Sequence, residues 1–140
     1  MHLPQILLAF AVMTTQAVAS EQPSKVDGSW NVTLACPPHN EGDHVVKGYT
    51  HGFPGEITNG QLRAVHGTEG EPDWHLLTGK IVADGSATLR LEGIVGHAAY
   101  AINRAQRGKA YKYMVRAQFE PSSGSGERLT GRVCHFAFSR

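Results

Sequence analysis

From residue 28 onward, hydrophobic and polar residues alternate with a period of two, and no stretch of useful length keeps the 3.6-residue period of an amphipathic helix. Trp30, Val32, Leu34 and Cys36 share one phase. Arg132, Cys134, Phe136 and Phe138 share another near the end of the chain. Turn signals recur about every ten to fifteen residues, a spacing that predicts an antiparallel barrel or sandwich. The alternation predicts strands over 28–36, 45–53, 55–58, 61–66, 74–82, 86–95, 110–120 and 127–138, with 97–103 a further strand or a loop.

Two hairpins can be read in register. In Glu56-Ile57-Thr58-Asn59-Gly60-Gln61-Leu62-Arg63 the Asn-Gly pair suits a two-residue type I′ turn. Ile57 then faces Leu62, and Glu56 faces Arg63 on the other side of the sheet. Around Asp84-Gly85 a two-residue loop sets Lys80 against Leu89 and Leu77 against Glu92. A three-residue loop, Ala83-Asp84-Gly85 with Gly85 left-handed, repairs this. It pairs Ile81 with Ala87, Gly79 with Leu89 and Leu77 with Leu91, all on one face. The hydrophobic set determines register, so the bulged turn is preferred.

The two cysteines, Cys36 and Cys134, stand on the apolar phases of the first and last strands. With only two in the chain, their pairing is unambiguous if both oxidise; the alternative is two free thiols. Antiparallel pairing with Cys36 opposite Cys134 sets Leu34 against Phe136, Val32 against Phe138 and Trp30 beside Arg140. Closure of an even-stranded up-and-down barrel requires that pairing. The predicted fold is therefore all-β: one antiparallel barrel of about eight strands closed by one disulfide, with a β-sandwich as the alternative. An immunoglobulin-type sandwich fits less well, because Trp30 lies upstream of the first cysteine. In the chain-entropy picture a cross-link over about 100 residues is worth about 4–5 kcal/mol.

Gly28-Ser29-Trp30 with a late arginine beside the tryptophan resembles the Gly-x-Trp and arginine pairing of calycin barrels, the group of the lipocalins and avidins. The resemblance implies a barrel and carries over no ligand residue. Asp27-Gly28-Ser29-Trp30-Asn31-Val32-Thr33, Asp84-Gly85-Ser86-Ala87-Thr88-Leu89-Arg90 and Tyr113-x-Val115-x-Ala117-x-Phe119-Glu120 are similar to a group of short exported bacterial all-β proteins. That likeness implies a compartment and a fold, and no activity.

Residues 6–13 form an apolar run too short to span a bilayer, which needs roughly 20 apolar residues. Ala17 and Ala19 fit a signal-peptide cleavage pattern. The expected division is a signal peptide over 1–19 and a barrel domain over 20–140, secreted or periplasmic. The n-region lacks Lys and Arg, and a buried N-terminal helix is the competing reading. No later apolar run predicts a membrane span. The formal net charge of +1 gives no general footprint for nucleic acid or an anionic membrane.

Catalytic chemistry finds little support. His39-Asn40-Glu41-Gly42-Asp43-His44 is the densest group of potential metal ligands, and is read as a solvated loop after Pro37-Pro38. There is no H-E-x-x-H, no four-cysteine set, no Gly-x-Ser-x-Gly and no phosphate loop. The run from Glu120 to Glu127 reads as a flexible hairpin loop. Glu120 and Glu127 flank it, and a glycosidase-like pair there needs a cleft around it. No catalytic residue, metal or cofactor is expected.

Two segments stand out as binding surfaces. Residues 93–119 contain no acid, while Arg104, Arg107, Lys109, Lys112 and Arg116 interleave with Tyr100, Tyr111 and Tyr113. Such a segment holds anionic partners, or simply protects a strand edge. Trp74 follows three acids and falls on the phase opposite Leu77. It predicts either an exposed partner contact or a rim tryptophan closing the core. The expected function is an exported, non-catalytic binding protein, with Tyr100, Arg104, Arg107, Lys109, Lys112 and Trp74 as its site. The partner is an exported protein, as for an inhibitor-like module; a small ligand carried in the barrel mouth is the alternative, and an enzyme ranks third. The aromatics can fill a small barrel outright, which favours the protein-binding reading.

Overall fold

The computed structural model describes residues 24–140, with His2, Pro4 and 9–14. The expected cleavage point after Ala19 lies outside the described residues. The strands are β1 (Gly28–Cys36), β2 (His39–Glu41), β3 (His44–Val46), β4 (Tyr49–Thr58), β5 (Gln61–His66), β6 (His75–Lys80), β7 (Ser86–Ile94), β8 (Ala110–Phe119), β9 (Ser123–Arg128) and β10 (His135–Ser139). A 3₁₀ turn covers Ala98–Tyr100. β1 and β4 to β10 close an up-and-down antiparallel barrel of eight strands, with β1 between β4 and β10. β2 and β3 form a separate two-stranded hairpin. Among the described residues no helix is long and apolar enough to cross a membrane.

The closing seam has the expected register. Leu34 lies opposite Phe136 and Val32 opposite Phe138, and Cys36 is bonded to Cys134. The Arg140 guanidinium sits 4.6 Å from the centre of the Trp30 ring. Trp30 meets Phe119 edge-on at 5.5 Å and donates its indole N–H to the Val26 carbonyl at 2.8 Å. Arg140 also donates to the carbonyls of Lys25, Val26, Asp27 and Pro121. One end of the barrel is thereby plugged by Val26, Trp30, Phe119 and Phe138 and capped by a cation. Asp27 fastens this plug to the β4–β5 turn by accepting the N–H groups of Asn59 and Gly60, at 2.8 and 2.9 Å, and the Ser24 hydroxyl. Those bonds, the Ser24 hydroxyl first, hold its carboxyl below the usual carboxylate range.

Both hairpins pair as predicted. Ile57 faces Leu62 and Glu56 faces Arg63, around Asn59 and Gly60 with φ of 50° and 76°. Ile81 bridges Ala87, Leu77 faces Leu91, and Gly85 has φ 86°.

Three segments differ from expectation. The predicted strands 45–53 and 55–58 are instead β3 and one long strand, β4. Pro54 sits inside β4, one residue before the β4–β5 ladder begins at Gly55 and Ala64. Most of the loop predicted over 120–127 is instead strand β9, and the strand predicted over 127–138 is interrupted by a turn between Arg128 and His135. The glycines of β9 explain this. Gly124 packs beneath Phe119 and Phe138, and Gly126 against Val115 and Ala117, with room at each position for little more than a hydrogen. The serines alternate outward while aromatic rings from neighbouring strands fill the missing side-chain volume. The third difference is His39 to His44, which forms the β2–β3 hairpin rather than a free loop. Glu41 accepts the Asn103 N–H at 2.7 Å, and Asp43 pairs with Arg104 at 3.0 Å.

Candidate binding site

At the plugged end and in the middle of the barrel, inward positions are apolar: Ile57, Leu62, Leu77, Leu89, Val115, Phe136. Toward the other end the same phases turn polar. β4 brings in Tyr49 and His51 beyond Phe53. β8 brings in Tyr111 and Tyr113 beyond Val115. β6 starts with His75 and β9 ends with Arg128. These side chains line a cavity of about 1060 Å³ in the barrel mouth, roofed by the segment from Val95 to Lys109. Its size is near the upper end of small-ligand sites, about 300–1,000 Å³.

One wall is built of imidazoles. The β4–β5 ladder stops at Gly55 and Ala64. Beyond it His51 Nε2 and His66 Nδ1 meet at 2.9 Å, and His66 Nε2 lies 3.3 Å from Asp73 Oδ2. A carboxylate only accepts, so His66 Nε2 carries the hydrogen, its Nδ1 accepts, and His51 Nε2 donates. Asp73 is held toward this chain by a left-handed backbone, φ 74°, with its N–H bonded to the Ile94 carbonyl. His75 stacks on His66 with ring centres 4.9 Å apart and meets Phe53 edge-on at 4.6 Å. Burial, then the neighbouring His66 and His51, lowers the His75 pKa to about 4. Burial also lowers that of His51.

The opposite wall is phenolic and cationic. Tyr111 and Tyr113 stack with ring centres 6.2 Å apart. Arg128 lies 3.9 Å over the Tyr113 ring and Arg132 5.7 Å over that of Tyr49. Tyr49 in turn meets Tyr100 edge-on at 6.0 Å. Burial raises the pKa of Tyr49, Tyr111 and Tyr113, so all three are neutral hydrogen-bond donors at physiological pH. Arg132 is only 4% exposed and clamps the rim by donating to the carbonyls of Tyr100, Pro37 and Lys47, at 3.0, 2.6 and 3.3 Å. Three buried polar atoms in this mouth have no protein partner: His75 Nε2, Tyr113 Oη and Arg132 Nε. Each such atom costs about 1–3 kcal/mol unless something bonds to it.

Five of the six expected site residues line this cavity: Tyr100, Arg104, Arg107, Lys109 and Lys112. Arg107 donates to the Gly96 carbonyl at 2.8 Å, which folds the roof over the mouth. Arg104 is paired with Asp43, and Lys112 alternates outward opposite Glu92. Trp74 is 9% exposed and is not among the lining residues. It is therefore not an exposed contact, and it stands outside the barrel's core cluster. His51, His75, Tyr49, Arg128 and Arg132 were not read as site residues. Parity carried the signal: His75 shares the inward phase of Leu77, and His51 that of Phe53. Among the described residues no group of three or more His, Cys, Asp or Glu side chains is placed to hold a metal ion.

The fold and site define a disulfide-closed β-barrel with one plugged end and one polar, cavity-bearing mouth. Comparison with family models, with curated proteins and with solved structures finds no match.

Proposed function

We propose that this chain is an exported, non-catalytic binding protein that takes a small ligand in the barrel mouth. The observation that carries this reading is the set of unpartnered buried atoms, His75 Nε2, Tyr113 Oη and Arg132 Nε, around a cavity of about 1060 Å³. A barrel filled throughout, as the aromatic content led one to expect, favours a protein-binding module. Here Trp30, Phe53, Phe119, Phe136 and Phe138 fill the core, and Tyr49, Tyr111 and Tyr113 border the cavity above it. The Trp30–Arg140 stack at the plugged end supports the calycin-like reading, and the disulfide is compatible with an oxidising compartment.

A thermal-shift screen of small anions, cations and neutral molecules against the oxidised protein tests the proposal. Binders should raise Tm progressively, with the logarithm of ligand concentration once it exceeds Kd. They should lose most of that effect in Tyr113→Phe. Failure of every compound in a broad library, or a shift unchanged in Tyr113→Phe, counts against a mouth ligand.

The exposed Arg104, with its side chain 67% exposed, supports a second reading in which the basic roof docks on an acidic exported protein. That reading requires salt-sensitive capture of a partner that the Arg104→Glu, Arg107→Glu, Lys109→Glu triple variant loses. Identical partner profiles for wild type and triple variant reject it.

A further inference from the structure

We propose that the ligand of the mouth cavity is a planar aromatic or conjugated acid, its anionic group received at Tyr113, Arg128 and Arg132 and its ring body laid against Tyr49 and Tyr111. This inference rests on the small-ligand reading above and adds the ligand's chemical class.

The charge balance of the lining sets the sign. Its cations are Arg104, Arg107, Lys109, Lys112, Arg128 and Arg132, and its only acid is Asp73. Asp43 offsets Arg104 and Glu92 faces Lys112. Arg107, Lys109, Arg128 and Arg132 still outnumber Asp73, which is already engaged with His66. A cationic ligand would meet an excess of positive side chains around the mouth, whereas an anion is attracted there.

The unpartnered atoms set the polarity. Arg132 Nε carries an N–H and only donates. Tyr113 Oη donates because burial keeps the phenol neutral. Tyr113 is 5% exposed and Arg132 4%, and both are among the residues lining the cavity. The Tyr113 hydroxyl and the free Nε–H of Arg132, with the Arg128 guanidinium beside them, complement an acceptor-rich anionic group such as a carboxylate or sulfonate. The guanidiniums are held for it: Arg128 is stacked on Tyr113 and Arg132 is clamped by three carbonyls.

The walls set the body. Tyr49, Tyr100 and Tyr111 contribute aromatic rings to the lining, and His75 adds a further ring. A cavity of about 1060 Å³ is far larger than an inorganic anion needs. Ring faces contribute stacking that an aliphatic chain does not return.

The test titrates the full oxidised protein at neutral pH with four probes: 2-naphthoate, 2-naphthamide, 2-naphthylmethylammonium and octanoate. Naphthoate should bind at least about tenfold more tightly than each of the others, a difference of about 1.4 kcal/mol. Tyr113→Phe, which removes an unpartnered hydroxyl and leaves the ring, should weaken naphthoate about tenfold and naphthamide much less. Arg128→Gln, with Tm measured as the folding control, should act in the same direction. Equal or tighter binding of the amide or the ammonium overturns the anionic assignment while leaving the mouth a ligand site. Octanoate binding as tightly as naphthoate overturns the aromatic body. Binding of none of the four overturns the inference, and the small-ligand reading is then decided by the library screen alone.

Discussion

At the residue scale, His75 shows how one side chain couples the site to stability. It is 6% exposed, packed on His51, His66 and Phe53, with Asp73 beyond His66. Its pKa falls from an ordinary 6.5 to about 4 in the folded protein. The unfolded chain therefore takes up a proton that the folded one refuses between those two values. Stability contributed by the neutral imidazole is complete above pH 6.5 and is lost as pH falls toward 4. The loss is of the order of 3 kcal/mol. Denaturant melts of wild type at pH 7 and pH 4.5 should show this drop, and His75→Phe should flatten it. A slope that survives His75→Phe assigns the effect elsewhere.

Strand β9 carries the lesson at the element scale. Ser-Gly-Ser-Gly has the composition of a flexible linker, and nothing local to those four residues makes it a strand. Its neighbours make it one: Phe119 and Phe138 occupy the space a side chain on Gly124 would take, and Val115 and Ala117 the space at Gly126. A Cβ at Gly126 would stand 3.1 Å from Val115 Cγ1 and 3.2 Å from the Arg116 carbonyl. Gly126→Val should raise β propensity and still destabilise by about 1–3 kcal/mol through overpacking. A neutral or stabilising result in chemical denaturation would show that the barrel wall yields there. The seam element offers a second measurement. Trp30→Ala removes a ring packed on Phe119 and should cost about 3–5 kcal/mol. Arg140→Ala, mild if only the cation–π contact mattered, should cost about 2–3 kcal/mol, because four carbonyls also lose a charged donor.

At the scale of the whole molecule, the disulfide joins strands 98 residues apart in sequence and neighbours in space. It lies between the apolar core and the mouth and ties the closing seam at its open end. Reduction, or the double Cys36→Ala, Cys134→Ala variant, should cost about 2–4 kcal/mol of stability. It should also weaken mouth ligands, since Tyr49 follows on the strand paired with Cys36. Chemical denaturation of oxidised and reduced protein measures the first effect, and titration with naphthoate the second. Reduction that leaves both untouched would mean the ladder alone holds the seam.

The amino-acid sequence alone determined the barrel, its closing register, two hairpin turns and the Trp30–Arg140 stack. All of these follow from period-two alternation and turn chemistry, which act between residues close in sequence or fixed by a single cross-link. The tertiary structure alone decided that Ser123 to Arg128 enters the wall, that Trp74 is buried, and that the mouth is a cavity. Those outcomes depend on volumes and charges contributed by several strands to one place. Whether a tyrosine fills a core or lines a cavity depends on what stands opposite it, and alternation along one strand records only which way it points. His51, His66 and His75 come from three different strands, and only barrel closure stacks them into one wall beside Asp73.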